Sequence, residues 1–153
     1  MHGVPTSLLD FTLNPLVGLF FAVEDLEPKS REEPAHLWLL EGSGICENPH
    51  EDLNPSYDIC GVPYFIPAAV NPRMAAQQGC FVSDPWGRTE DVATPLSERL
   101  SEAHPPKVFE IPHEKRAEIQ VELNNFGVNY QSVYPDLEGL GKHIAWLARR
   151  TGA

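Results

Sequence analysis

The feature that most constrains the fold is a run of apolar residues near the start of the chain, residues 16–23, with the sequence LVGLFFAV. Asn14 and Pro15 precede this run. They are typical of a helix start, because asparagine caps free N–H groups and proline loses no hydrogen bond at the first helical position. Because nearly every side chain in the run is apolar, we expect a helix that is buried on nearly all sides.

Polar side chains come just before this predicted helix. Residues 2–12 read HGVPTSLLDFT, and the residue before Pro5 is expected to be extended because proline disfavours helical angles in its predecessor. We expect residues 2–12 to form a loop at the edge of the core, a position in which polar groups can meet a ligand. The candidate residues in this loop are His2, Thr6, Asp10 and Thr12.

Short elements are predicted through the middle of the chain. Strands are expected at residues 36–41, 64–66, 80–83 and 108–111. Residues 71–79 repeat the earlier pattern, because Asn71 can cap a short helix, Pro72 can open it and Gly79 can stop it.

Two longer helices are predicted near the C-terminus, separated by a short extended segment at residues 128–134. In residues 113–126 the apolar side chains recur at intervals of four and three, which indicates one buried stripe: Ile119, Leu123 and Phe126. Asp136 is a candidate cap for the last helix, whose predicted stripe has a similar spacing: Leu137, Leu140, Ile144 and Leu147.

These elements predict an α+β fold with one small mixed sheet of about five short strands and three main helices. The 15 prolines favour many irregular connections between them. A chain of 153 residues is long enough to form a single domain with one core, and we expect that domain to span residues 1–153.

The net charge of −11 argues against sequence-independent nucleic-acid binding, which requires Lys and Arg to displace counterions from phosphates. Every apolar run is shorter than the roughly 18 residues that span a bilayer, so no membrane segment is predicted. The three cysteines, Cys46, Cys60 and Cys80, have no disulfide or metal-site spacing, and the acids and histidine of residues 47–52 fit no zinc or calcium pattern. We therefore expect a cytoplasmic protein without a bound metal.

Three segments together resemble the FRG domain, a bacterial and phage domain named for an aromatic-Arg-Gly motif. The first is HGVPTSLLDFTLNPLVGLFFAVE, residues 2–24. Residues 71–81, NPRMAAQQGCF, and residues 109–144 resemble later parts of the family pattern in the same order. The resemblance implies a domain associated with toxin or phage-defence systems.

The chain differs from the family pattern in two ways. No aromatic-Arg-Gly motif occurs in the 153 residues, and Ser7 stands where the family usually has arginine after Pro-Thr. The sequence is thus expected to represent an N-terminally shortened or diverged member. Both differences remove positive charge, which argues against an anion-binding role.

The family resemblance also supplies a hypothesis about chemistry. The order of FRG motifs is similar to that of ADP-ribosyltransferases. In many of these enzymes an Arg-Gly strand binds the dinucleotide, a segment ending in Ser or Thr leads into an aromatic-rich helix, and a later Glu or Gln acts on the ribose. This analogy points to Thr12 and to Gln77 or Gln78. Together with the polar residues before the first helix and on the short helix at residues 71–79, it leads us to expect catalytic roles for Asp10, Thr12 and Gln78, and binding of NAD or a related nucleotide by His2, Thr6, Arg73 and Gln77.

Each of these residues also has a structural interpretation. Asp10 or Thr12 could accept backbone hydrogen bonds at the helix start, and His2 could belong to a frayed terminus. Arg73 could form a buried ion pair, for example with Asp10, while a glutamine binds backbone. Two functions therefore remain open: a nucleotide-using, degenerate ADP-ribosyltransferase-like domain, and a non-catalytic module that binds a protein partner through its surface.

Overall fold

The computed structural model describes residues 8–24, 33–40, 64–83 and 106–152. The chain forms two compact units, each assembled from three stretches of sequence. The first comprises residues 1–11, 38–67 and 79–108, and the second comprises residues 12–37, 68–78 and 109–153. The single domain over residues 1–153 stays a prediction.

Five strands lie in the described residues: β1 (Leu8–Thr12), β2 (Ala35–Leu39), β3 (Tyr64–Phe65), β4 (Gly79–Ser83) and β5 (Lys107–Ile111). They form two sheets, one with the order β1-β4-β3 and one of β2 and β5, instead of the single sheet expected. β3 and β4 are antiparallel, with Tyr64 opposite Val82. The predicted α+β class is confirmed.

Strand β1 corrects the expectation that residues 8–12 form a loop. Its backbone pairs with β4, which lies far away along the chain. The expectation was wrong because it rested on local preferences alone, and a strand can be stabilised by a distant partner. In the first unit, β4 buries Cys80 and Val82, which alternate with the partly exposed Phe81.

Five α-helices lie in the described residues: α1 (Pro15–Val23), α2 (Pro72–Gln77), α3 (Arg116–Asn125), α4 (Tyr130–Val133) and α5 (Leu137–Thr151). A short 3₁₀ turn, His113–Lys115, precedes α3. Three predicted caps are confirmed, because the side chains of Asn14, Asn71 and Asp136 each accept a backbone N–H at the start of a helix. No helix within these described ranges has both the length and the apolar character needed to cross a membrane.

Helix α4 replaces the extended segment expected at residues 128–134. The side chain of Asn129 accepts the N–H groups of Gln131 and Ser132, and the Ser132 hydroxyl accepts the N–H of Asn129. This reciprocal capping box stabilises a single helical turn at a point where the spacing of apolar residues gives no helical pattern.

The core of the second unit is built mainly from helices that are distant in sequence. Its buried residues are Val17, Phe20, Val23, Ile111, Leu123, Tyr130, Val133, Tyr134 and Trp146. α1 packs against α3, and α4 packs against α5. Phe20 makes an edge-to-face contact with Tyr130, whose ring centroid lies 5.2 Å away. Contacts of this kind stabilise a core beyond simple burial of area.

Helix α1 is less buried than its sequence predicts. Val17, Phe20 and Val23 are buried, whereas Leu16 and Phe21 are exposed to 39% and 37%. The prediction was wrong because the buried residues follow a three-residue interval, which places them on one side of the helix. Leu16 and Phe21 lie away from that side.

The buried side of α5 also differs from the prediction. Gly139 and Trp146 are buried, whereas Leu137 and Ile144 of the predicted stripe are exposed to 87% and 57%. Gly139 explains this orientation, since a Cβ at this position would overlap the carbonyl oxygen of Tyr134. The first turn of α5 can therefore approach the preceding backbone only through the glycine. In α3 the predicted stripe holds for Leu123 but not for Phe126, which lies just beyond the helix and is 73% exposed.

Candidate functional site

The candidate residues are divided between the two units. Asp10 lies on β1 in the first unit and is exposed. Thr12, Arg73, Gln77 and Gln78 lie in the second unit. His2 and Thr6 fall outside the described residues.

Thr12 joins the start of α1 to the end of α2. Its hydroxyl donates a hydrogen bond to the carbonyl oxygen of Gln77 at 2.7 Å and accepts the N–H of Asn14 at 3.1 Å. The N–H of Leu13 donates to the carbonyl oxygen of Gln78 at 3.0 Å. The threonine side chain is thus bound on both sides by backbone, in a partly buried position.

The two glutamines at the end of α2 have different surroundings. Nε2 of Gln77 donates to the carbonyl oxygen of Val133 at 3.3 Å, so this side chain joins α2 to α4. Gln78 is exposed and has a left-handed backbone, with φ 46° and ψ 43°. Glycine is the usual residue in this conformation, and the expected stop at Gly79 is one residue too late because Gln78 itself ends the helix.

Arg73 is exposed on α2, and its guanidinium carbon lies 4.7 Å from the centre of the Tyr134 ring. This arrangement allows a cation–π interaction. The expected alternative, a buried ion pair of Arg73, is wrong because the arginine is exposed.

Tyr134 is the centre of a group of charged residues that sequence patterns did not reveal. The group, called here the Tyr134 cluster, comprises Glu24, Arg73, Tyr134, Glu138 and Lys142. The Tyr134 hydroxyl donates to Oε2 of Glu24 at 2.8 Å, while Nζ of Lys142 lies 5.1 Å from the ring centre and 2.9 Å from Oε1 of Glu138. Burial raises the pKa of Tyr134, and the hydrogen bond to Glu24 raises it further.

The Tyr134 cluster has two carboxylates and two cations, so its formal charge is balanced. Its members come from α1, α2 and α5 and from the turn before α5, and the contact between Glu24 and Tyr134 spans 110 positions of sequence. Most of the cluster is therefore invisible to local patterns. The pair of Glu138 and Lys142 is the exception, because these residues are four apart on one helix, a spacing that favours ion pairs.

A small cleft in the second unit lies beside the core. It is lined by Phe20, Gln120, Asn124, Val128, Asn129, Tyr130 and Trp146, and it has a volume of about 10 Å³. That volume suits about one water molecule. The cleft is therefore a packing feature beside the core.

Potential metal ligands are not gathered in the part of the chain that the structure describes, where no three His, Cys, Asp or Glu side chains lie close enough to share an ion. Residues 47–52, which contain the histidine and acids considered above, lie outside those ranges. Cys80 is a free, buried thiol, and its burial raises its pKa, which disfavours the reactive thiolate.

Comparison with known proteins gives a partial match to one family model. The chain matches no curated protein. It matches no solved structure. The later segments expected to resemble the family, residues 71–81 and 109–144, lie outside the match. The model of the FRG domain matches residues 1–31, which confirms the resemblance to the FRG family for that part of the chain.

Proposed function

We propose that this chain is a non-catalytic binding module with an FRG-type N-terminal segment, in which Thr12 stabilises the fold. The observation that carries the proposal is the hydrogen bond from the Thr12 hydroxyl to the carbonyl oxygen of Gln77. A hydroxyl has one proton to donate, and that of Thr12 is used within the protein.

Gln77 supports the same conclusion. Its carbonyl oxygen accepts a hydrogen bond from the Thr12 hydroxyl, and its side-chain amide donates one to the carbonyl oxygen of Val133. To act on a substrate, either side chain would first have to leave a partly buried partner, at a cost of about 1–3 kcal/mol for each unsatisfied group. Both residues are therefore better suited to hold α1, α2 and α4 together than to do chemistry.

The partner would be a protein with a basic surface, because the chain carries a net charge of −11 and complementary charge accelerates association. On the family resemblance, we extend the proposal to a role within a toxin or phage-defence system.

The proposal is tested by Thr12→Val, with Thr12→Ser as the matched control. Valine retains the shape of threonine but neither donates nor accepts, so we expect the free energy of unfolding in urea to fall by about 1–3 kcal/mol. Serine keeps the hydroxyl and loses one methyl group, so a smaller loss of about 0.8 kcal/mol is expected. A Thr12→Val protein of unchanged stability would contradict the structural role.

A second candidate function is NAD-dependent ADP-ribosyl transfer. It is favoured by the exposure of Arg73 and Gln78 in the second unit, which leaves these two polar side chains accessible to a ligand. Thermal unfolding with millimolar NAD tests it, because a ligand present a few-fold above its Kd stabilises the folded state by about 1 kcal/mol.

For the binding module we expect no thermal shift with NAD and no release of nicotinamide. Turnover of NAD that is lost in Gln78→Ala and Asp10→Asn, while both variants unfold at the same temperature as the parent protein, would overturn the binding-module proposal in favour of the enzyme.

A further inference from the structure

Helix α5 exposes an apolar face on the side away from the core. Leu137, Ile144 and Leu147 are exposed to 87%, 57% and 40%, and Ala145 between them is also exposed. Leu137 and Ile144 are seven residues apart and thus lie on nearly the same line along the helix. A soluble protein seldom leaves such a group of large apolar side chains in water unless it meets a partner.

Charged residues border this face without entering it. At about 100° per residue, Glu138 and Arg149 lie on the same edge of the face, about three turns apart. Glu138 is in the first turn of α5 and Arg149 is in the last turn. One edge of the face is therefore acidic at one end and basic at the other.

We propose that α5 is a dimerisation helix, which packs through this apolar face against α5 of a second copy of the chain in antiparallel orientation. A two-fold axis near Ile144 would bring Glu138 of each copy beside Arg149 of the other, so the dimer would contain two such ion pairs. The same rotation makes the apolar residues self-complementary, as a two-fold interface requires.

The charge pattern favours a second copy over other occupants. In a parallel pair the like-charged ends of the two helices would be adjacent, whereas the antiparallel pair joins opposite charges and opposite ends of the helix dipoles. An anionic membrane surface fits less well, because the chain as a whole has a net charge of −11 and would be repelled.

The ion pair that Glu138 makes within α5 is compatible with this pairing. Glu138 also contacts Lys142 at 2.9 Å, but the side chains in that pair are 71% and 45% exposed. Exposed pairs of this kind contribute little, so Glu138 can exchange or share its partner. The inference goes beyond the proposed function and does not depend on it, since an enzyme or a binding module can dimerise.

The first experiment is sedimentation equilibrium of the full chain up to about 0.1 mM, a concentration that detects even a Kd of tens of micromolar. We expect a mass approaching twice 17.0 kDa. The variant Ile144→Glu places two carboxylates at the two-fold axis, and we expect it to weaken the dimer at least about tenfold, which corresponds to ~1.4 kcal/mol.

The matched control is Ala117→Glu, which adds the same charge at an exposed position of α3 and should leave dimerisation unchanged. Circular dichroism and thermal unfolding confirm that both variants are folded. A parent chain that stays monomeric, or a dimer that Ile144→Glu does not weaken, overturns the proposal.

The orientation is tested by charge exchange. Glu138→Arg and Arg149→Glu should each weaken the dimer, and the double variant should restore it, because opposite charges again face each other. Failure of the double variant to recover overturns the antiparallel arrangement. A monomeric chain that instead sediments with phosphatidylserine vesicles would show that the face binds a membrane, which also overturns the proposal.

Discussion

The phenolic hydroxyl of Tyr134 donates a hydrogen bond to the Glu24 carboxylate across 2.8 Å. Glu24 ends α1, and Tyr134 lies in the turn that leads into α5. The bond therefore connects the N-terminal helix of the second unit to its C-terminal helices.

Removing this hydroxyl tests how much the connection contributes. We expect Tyr134→Phe to lower the free energy of unfolding by about 1.5–3 kcal/mol, because hydrogen bonds to charged groups are stronger than neutral ones. A double-mutant cycle with Glu24→Ala isolates the pair in urea denaturation. If the two substitutions have additive effects, the hydroxyl and the carboxylate do not stabilise each other.

The same bond predicts a loss of stability at alkaline pH. Burial raises the pKa of Tyr134, followed by the hydrogen bond to Glu24. The folded state thus holds this proton more tightly than the unfolded chain does. Its stabilising contribution is complete below the ordinary tyrosine pKa of about 10, and it decreases as the pH rises further. Urea denaturation between about pH 8 and pH 11 should show this decrease in the parent protein. The stability of Tyr134→Phe should decrease less over the same range. If the parent protein and Tyr134→Phe lose the same stability, the alkaline loss does not come from ionisation of Tyr134.

Two glycines of α5 should respond in opposite ways to alanine. A Cβ at Gly139 would overlap the carbonyl oxygen of Tyr134 and lie 2.8 Å from that of Tyr130, whereas Gly141 has nothing within 4 Å. We expect Gly139→Ala to destabilise the protein by about 3 kcal/mol or more, since the backbone must move. Gly141→Ala should stabilise it by about 1 kcal/mol through higher helix propensity. Thermal unfolding of both variants measures the contrast, and equal effects would show that α5 does not approach Tyr134 as described.

The left-handed backbone of Gln78 gives a further prediction. Because a side chain is disfavoured at φ 46°, Gln78→Gly should stabilise the protein by about 1 kcal/mol, whereas Gln78→Ala should give no such gain. Both variants keep the backbone hydrogen bonds that Gln78 makes with Leu13 and Ala75. Destabilisation by Gln78→Gly, measured in urea, would show that the glutamine side chain has a structural partner.

Sequence patterns predicted the parts of the fold that depend on near neighbours. Asn14, Asn71 and Asp136 each cap a helix through a backbone N–H two or three residues ahead, so their roles are visible locally. The capping box of Asn129 and Ser132 was equally local, but the expectation of an extended segment overlooked it.

The remaining features depend on distant residues. The contact of Thr12 with Gln77 spans 65 positions, and that of Glu24 with Tyr134 spans 110. The rotation of α5 about its axis depends on the fit of Gly139 against Tyr134, and a stripe of leucines carries no information about that fit. Thr12 and Gln77 were chosen as candidates from their positions near the predicted helices together with the family resemblance, whereas the interactions that they make required the structure.

The contact between Phe20 and Tyr130 also determines how early the core of the second unit can form during synthesis of the chain. After Phe20 of α1 has been added to the chain, about 110 further residues must be translated before its aromatic partner Tyr130 exists. Translation adds roughly 5–20 residues per second, so the apolar side of α1 stays without its native packing partner for on the order of 5–20 s. During this interval the nascent chain presents Val17, Phe20 and Val23 to chaperones, and translation speed therefore limits when this core can form.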